Sequence, residues 1–294
     1  MHYFILGASG FIGSELVKAL LEKGHEVTAF EHRSKIEIVH SNLYVVKSSL
    51  ENTVPFLTQY KADVVIHLAR ISGGRYAIGR YLNSLRAKRF NQHIRAWLGT
   101  NEQTRLYYIS GSLMYGNDEK PITEKKQLNP LSFAREYHIA EKPFVENPPT
   151  NITVLRPGWV FGNGSWFKQF FLNVAEKTGK VPQYGTGNNT MSIIHLRDLA
   201  RLIVAYTEKN PSGPVFNLCS PIQVPAKSFS EKFSQLAQKP LSHLTAKEVQ
   251  QRYNKTVMEA FTSNILLDTD YKAIIREFKF EYPDLEALLL SEIK

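Results

Sequence analysis

Residues 1–13 read MHYFILGASGFIG, and they decide the fold. "YFILG" (3–7) is a short apolar run closed by glycine, the pattern of a strand buried on both faces. Gly7, Gly10 and Gly13 follow in a G-x-x-G-x-x-G spacing. "SELVKALLEKG" (14–24) then sets Leu16, Ala19, Leu20 and Lys23 at helical intervals, and Gly24 stops the helix. A glycine turn between strand and helix is a phosphate cradle. Gly7 allows the tight turn, and Gly10 lets the main chain approach a diphosphate. Gly13 lets helix and strand pack closely, with the helix amino end facing the anion. Ser9, Phe11 and Ile12 lie in the same turn and complete its candidate contacts.

A second strand, "HEVTAF" (25–30), runs to Glu31, where a carboxylate takes adenosine ribose hydroxyls and favours NAD. His32 and Arg33 come directly after and suit a 2′-phosphate, which favours NADP. The cofactor is therefore read as NAD or NADP. "LYVV" (43–46), "DVVIHLA" (63–69), "RLYYIS" (105–110) and "ITVLRP" (152–157) are further strands. Helices are expected over 80–98, with Leu82, Leu85, Ile94 and Leu98 inward, and over 131–142. Such alternation implies an α/β fold: a Rossmann-type doubly wound parallel sheet with helices on both faces. From about residue 157 the pattern loosens into "GNGSWF" and "YGTGNNT", then the helix-like "LRDLARLIVAYTEK" (196–209), and is largely helical after Pro225. The expected division is a dinucleotide-binding domain over 1–156. Residues 157–294 then form a mixed segment that completes the sheet and makes a smaller C-terminal substrate lobe, rich in Trp159, Trp166, Phe167 and Tyr184.

Composition narrows the class. Of 294 residues, 43% are hydrophobic and 21% charged, ample for a large core. No secretory signal or membrane-length apolar run is visible, and one cysteine, Cys219, excludes an internal disulfide; a soluble, cytoplasmic protein is expected. The net charge of +9 is concentrated between Arg70 and Arg105, where eight Lys/Arg face a single acid, Glu102. A solvated helix face accounts for most of them, while Arg70, Arg75 and Arg80, just past a strand end, are placed to meet an anionic cofactor or substrate. The chain carries no nucleic-acid module and no basic–aromatic interleaving, nor a metal-ligand pattern. The expected partner is a small-molecule substrate, not nucleic acid or membrane.

In order along the chain, "GASGFIG", "DVVIHLA", "YYISGSLMYG", "LRPGWVFGNG", "MSIIHLRDLA" and "GPVFNLCSP" resemble the short-chain dehydrogenase/reductase superfamily. The resemblance is to its extended, NAD-dependent epimerase/dehydratase-like members, and it covers the whole length. "NSLRAKRF" (83–90), "GNNTMSIIHLRDL" (187–199) and "FKFEYPDLEALL" (278–289) are similar to an atypical group within it. The resemblance implies an oxidoreductase or isomerase acting on a small hydroxy, carbonyl or sugar-nucleotide-like substrate. It extends the cofactor contacts to Leu68, Ala69 and Arg70 after the fourth strand, Ser110 after the fifth, and Pro157 and Gly158 after the sixth. It also implies a homodimer through helices such as 80–98 and 131–147.

The superfamily's proton relay is a tyrosine with a lysine four residues later, which a helix places on one face. Here "FAREYHIAEKP" (133–143) breaks it. With Tyr137 as the tyrosine, Glu141 holds the lysine position and Lys142 is about 100° round the helix. In the register that keeps the "P-x-x-Y-x-x-x-K-x-x-x-E" rhythm, Phe133 replaces the tyrosine, Tyr137 the lysine, and Glu141 is the glutamate. The second register is preferred; in both, the Tyr–Lys pair is degenerate. The serine of the preceding strand falls on Gly111, flanked by Ser110 and Ser112. Ser112, Tyr115 and Tyr137 are the catalytic candidates. Structural roles are expected for His138 at the surface, His195 positioning a loop, Asp198 anchoring the following helix and Arg156 fixing a strand end. A rival reading is a non-catalytic dinucleotide-binding sensor or regulator.

Overall fold

The computed structural model describes residues 1–32, 34–71 and 77–293. Arg33 and Arg75, both named above, lie outside the described residues. The chain divides into two units that interleave along the sequence: one holds 1–110, 136–156 and 200–216, the other 111–135, 157–199 and 217–294.

The first unit is built on β1 (His2–Leu6), β2 (Glu26–Glu31), β3 (Leu43–Lys47), β4 (Val64–His67), β5 (Arg105–Ile109) and β6 (Ile152–Pro157). These pair in parallel in the order β3-β2-β1-β4-β5-β6. A later strand, Val215–Leu218, extends the sheet beyond β6. The order reverses at β1/β4, the switch point where open α/β sheets bind ligands at the carboxyl ends of their strands. Every residue of β4 is buried, as the unbroken apolar run requires. Helix α1 (Phe11–Glu22) buries Gly13, Leu16, Val17, Ala19, Leu20 and Leu21; it stops one residue before Lys23, which caps it from solvent.

Two more helices of this unit matter for the site: α2 (Thr53–Tyr60), which the sequence reading passed over, and α3 (Ala77–Leu98). The inward stripe of α3 differs from expectation. Ser84, Ala87, Asn91, Ile94 and Leu98 are buried, whereas Leu82 is 54% exposed. Two polar residues occupy the stripe because each has a partner: the Ser84 hydroxyl donates to Tyr81 O (2.6 Å), and Asn91 reaches both His67 Nε2 (2.9 Å) and Ala140 O (2.8 Å). The next helix, α4 (Ala134–Val145), starts three residues later than expected, because Ser132 adopts a left-handed φ of +55° and donates its N–H to Glu259.

His67 is sealed in this core among Tyr108, Phe90 and Phe144. Burial pushes its pKa down to about 4, opposed by the Asn91 hydrogen bond. The fold thus refuses a proton that the unfolded chain accepts, so stability declines as pH falls from about 6.5 through about 4. The full shift corresponds to roughly 3 kcal/mol. His195, also lowered to about 4 by burial, titrates in the same window. Urea titrations across pH 7 to 4 should therefore show a His67→Phe variant with less stability at pH 7 but a shallower acid slope, by one proton. An unchanged slope would show that His67 is not the titrating group.

In the second unit, a strand at Thr190–His195 pairs with Trp159–Phe161 in parallel and with Ile222–Pro225 antiparallel, and Val181–Tyr184 pairs with Leu241–Leu244. The segment after Pro225, expected to be largely helical, thus contributes a strand as well as helices. Its core is aromatic: Phe161, Phe167, Phe171, Phe229, Phe233 and Phe261 cluster around Trp166. Asp198, fully buried, accepts the main-chain N–H groups of Glu281 (2.8 Å) and Tyr282 (3.0 Å), and His195 packs its ring on Tyr282. Asp198 therefore fastens the C-terminal segment.

Candidate cofactor cradle and active-site helix

The glycine turn is shaped by close main-chain approaches. Gly7 has φ +88°, and a Cβ there would stand 2.8 Å from Ala69 N and 2.9 Å from Leu68 C, so the turn rests on the chain leaving β4. The Gly10 N–H donates to Gly7 O (3.0 Å), closing the turn. A Cβ on Gly13 would lie 2.1 Å from Gly7 O. Gly10 is the N-cap of α1 without a side-chain cap, and the first turn carries no acid. The amino end of α1 thus presents main-chain N–H groups and a positive dipole end with no side chain competing for them. A diphosphate fits this cradle. Ser9, Phe11 and Ile12 are half-buried at its rim, and Leu68 and Ala69 form its floor.

At the end of β2, the Glu31 carboxylate accepts the N–H of Ile36 (2.8 Å), tying the following loop back on itself. His32 is exposed. The carboxyl ends of β2, β3 and β4 and the flank of α3 enclose a cavity of about 990 Å³, whose wall includes His32, Leu50, Arg70 and Ile71.

On α4 the degenerate motif resolves into two faces. Glu141 is fully buried, accepts a hydrogen bond from the Ser110 hydroxyl and pairs with the buried Arg156 guanidinium. The hydroxyl of Ser110, a candidate cofactor contact, is thus directed at α4, and Arg156 holds β6 to α4. Lys142 turns outward toward Glu146 (3.9 Å), and Phe133, 46% exposed, precedes the helix. Tyr137 is half-buried, with the guanidinium of Arg70 4.2 Å from its ring centroid. Arg70 also donates to Ser110 O (3.4 Å). The cation beside this tyrosine comes from the end of β4, where no helical spacing would reveal it. Burial pushes the neighbouring Tyr108 hydroxyl up, the Glu141 carboxylate adds to that, and Arg70 opposes it. His138, expected at the surface, has its Nδ1 buried without a partner among the described residues, and burial lowers its pKa.

The remaining candidates lie in the second unit. Ser112, itself buried, opens a short helical turn (Ser112–Tyr115) after Gly111. The Tyr115 hydroxyl donates to Asn217 Oδ1 (2.7 Å) within a core of Ile122, Cys219, Ile265 and Leu267. Burial pushes the Cys219 thiol up, leaving it an unreactive packing group. Pro157 ends β6, and a Cβ on Gly158 would meet Ser192 O at 2.4 Å, so that glycine permits a close strand approach. Among the described residues, no group of three or more His, Cys, Asp or Glu could hold a metal ion, and no helix is long and apolar enough to cross a membrane.

The cradle, the parallel sheet and the strand order agree with the family comparison, in which residues 3–219 match the NAD dependent epimerase/dehydratase family. The chain belongs to that family. Epimerase family protein YfhF of Bacillus subtilis is 26% identical over 317 residues, covering 98% of this chain and 97% of its own. Among solved structures, human epimerase family protein SDR39U1 with NADPH superposes at a TM-score of 0.78 with 18% identity, covering 100% and 99% of the two chains. UDP-glucuronic acid 4-epimerase from Bacillus cereus, in complex with UDP-glucuronic acid and NAD, superposes at 0.79 with 20% identity over 100% and 98%. At these identities the structural likeness establishes the shared fold of this epimerase/dehydratase-family chain.

Proposed function

We propose that this chain binds NAD or NADP and acts as an oxidoreductase or isomerase on a small hydroxy, carbonyl or sugar-nucleotide-like substrate. Its proton handling does not use a Tyr–Lys pair. The observation that carries this reading is the glycine cradle, whose three close approaches leave the amino end of α1 open to a diphosphate. The nicotinamide and UDP-sugar ligands of the solved relatives support it. The proposed division of labour gives the cofactor to residues 1–156 and the substrate to 157–294.

A bound nicotinamide ring would supply the hydride chemistry. The chain's own part begins with the N–H groups of Phe11, Ile12 and Gly13, which hold the diphosphate. Glu141, locked to Arg156 and Ser110, fixes the height and rotation of α4. Tyr137 presents a hydroxyl from that helix, and Arg70 is its positioning residue, replacing from β4 the positive charge that a lysine supplies from the helix in related enzymes. Ser112 offers a hydroxyl from the helical turn that follows β5.

Calorimetric titration with NADH and NADPH tests the cradle; association of neither at millimolar concentration would overturn the reading. A turnover screen against sugar nucleotides and aldehydes, followed by nicotinamide absorbance, tests the chemistry. With any substrate so found, Arg70→Ala is expected to lower kcat about tenfold, since a cation over an aromatic face is worth about 1–2 kcal/mol. KM should change little, and Arg70→Lys should restore part of the loss. Equal kcat in all three proteins would remove Arg70 from the mechanism. The outward turn of Lys142 favours a second reading, a dinucleotide-binding sensor without hydride chemistry. That reading predicts cofactor-dependent affinity for a partner protein and no turnover.

A further inference from the structure

The basic stretch of α3 behaves unlike a solvated helix face. A solvated face intersperses acids that pair with its cations, and Ala77–Leu98 contains none. Two of its arginines are accounted for by the fold: Arg80 pairs with Glu136 (2.6 Å), and Arg95 donates to Asn147 O (2.6 Å). Arg86 and Arg89 are different. Both are exposed, three residues apart on one side of the helix, and neither has an acceptor among the described residues. Both line the cavity of about 990 Å³ at the carboxyl ends of β2, β3 and β4, together with His32 and His93, and no carboxylate lines it among the described residues. Two like charges held together without a counterion are a cost that an anionic ligand would relieve.

The position of the cavity says which anion. With the diphosphate on α1, the adenosine half of a dinucleotide extends over the ends of β2 and β3. Leu50, Val54, Phe90 and Trp97 give the same cavity apolar and aromatic walls suited to a purine. The one carboxylate that would repel a phosphate at the end of β2, Glu31, is engaged by the N–H of Ile36. We infer that this cavity is the seat of a phosphorylated adenosine end and that Arg86 and Arg89 of α3 hold its 2′-phosphate, which makes the chain an NADP(H) protein. The inference rests on the cradle reading above and goes beyond it by choosing the cofactor and naming the residues that choose.

The test uses the full chain and four probes: NADPH, NADH, 2′,5′-ADP and 5′-AMP. Calorimetry is expected to give NADPH at least tenfold tighter than NADH, with 2′,5′-ADP displacing NADPH and 5′-AMP failing to do so at the same concentration. In an Arg86→Ala/Arg89→Ala variant the NADPH-to-NADH affinity ratio should fall at least tenfold and the affinity for 2′,5′-ADP with it. Because both side chains are exposed, the variant should melt with the wild type, and its melting curve is the control. Equal wild-type affinity for the two dinucleotides, or a ratio unmoved by the substitutions, overturns the assignment while leaving the cradle reading intact. Failure of both dinucleotides to bind overturns the two together.

Discussion

Replacing Gly13 by alanine is expected to abolish dinucleotide binding and to cost roughly 1–3 kcal/mol of stability. The added Cβ would lie 2.1 Å from Gly7 O and 2.9 Å from both Gly7 C and Ala8 Cα. All three are main-chain atoms of the same turn, so no side chain can swing aside to make room. Relief requires the start of α1 to move away from the turn, and that motion pulls the helix amino end off the diphosphate position. Gly24→Ala is the informative control. Gly24 has a left-handed φ of +76°, which Gly13 does not, but a Cβ there meets nothing within 4 Å. Its variant should lose only the roughly 1–2 kcal/mol of a left-handed alanine and keep full affinity for the cofactor. Urea unfolding and calorimetry on both variants separate the effects. A Gly13→Ala protein that binds NADPH as tightly as wild type would show that the turn is not the diphosphate site.

The contrast between these two glycines shows what a sequence can disclose. Strand–turn–helix order and glycine spacing are local, so the cradle was legible from residues 1–24. Strands β1, β4 and β5 were legible for a related reason: parallel strands covered on both faces need consecutive apolar residues, as in "VVIH" and "RLYYI". Helix α3 and its inward Ile94 and Leu98 are legible, but the first half of its stripe is not, because two of its buried positions are polar. Ser84 is satisfied by the carbonyl of Tyr81 one turn back and Asn91 by partners that only the fold supplies, whereas Leu82 faces outward and follows no core stripe. The short strands around Trp159–Phe161 and Thr190–His195 were hidden among glycines and asparagines that read as loop. The role of Asp198 was out of reach, since its acceptors serve N–H groups 83 and 84 residues further on. Arg70 shows the same limit at the site: its place after β4 was readable, but its ring partner Tyr137 lies on another element.

Glu141 and Arg156 carry the second large effect, and it falls on stability before chemistry. The pair is sealed, with side-chain exposures of 0% and 3%, so each charge depends on the other for the interactions it lost on leaving water. Glu141→Gln and Arg156→Met should each cost about 3–5 kcal/mol, because each leaves the opposite charge buried without its counter-charge. The double variant Glu141→Leu/Arg156→Met removes both charges and the reason for the penalty, and is expected to be less destabilised than the sum of the single changes by several kcal/mol. The Ser110 hydroxyl, left without its carboxylate acceptor, should account for about 1 kcal/mol of what remains. Urea midpoints give the cycle, and amide exchange along Ala134–Val145 reports whether α4 is the element set loose. Additive single changes would mean that the two charges are solvated independently and that the pair does not fasten α4 to the sheet. Coupling of the expected size, with faster exchange confined to α4 in the single variants, would identify the pair as what holds Tyr137 in place, so that placing a lysine at position 141, four residues after Tyr137, would cost the fold its fastening.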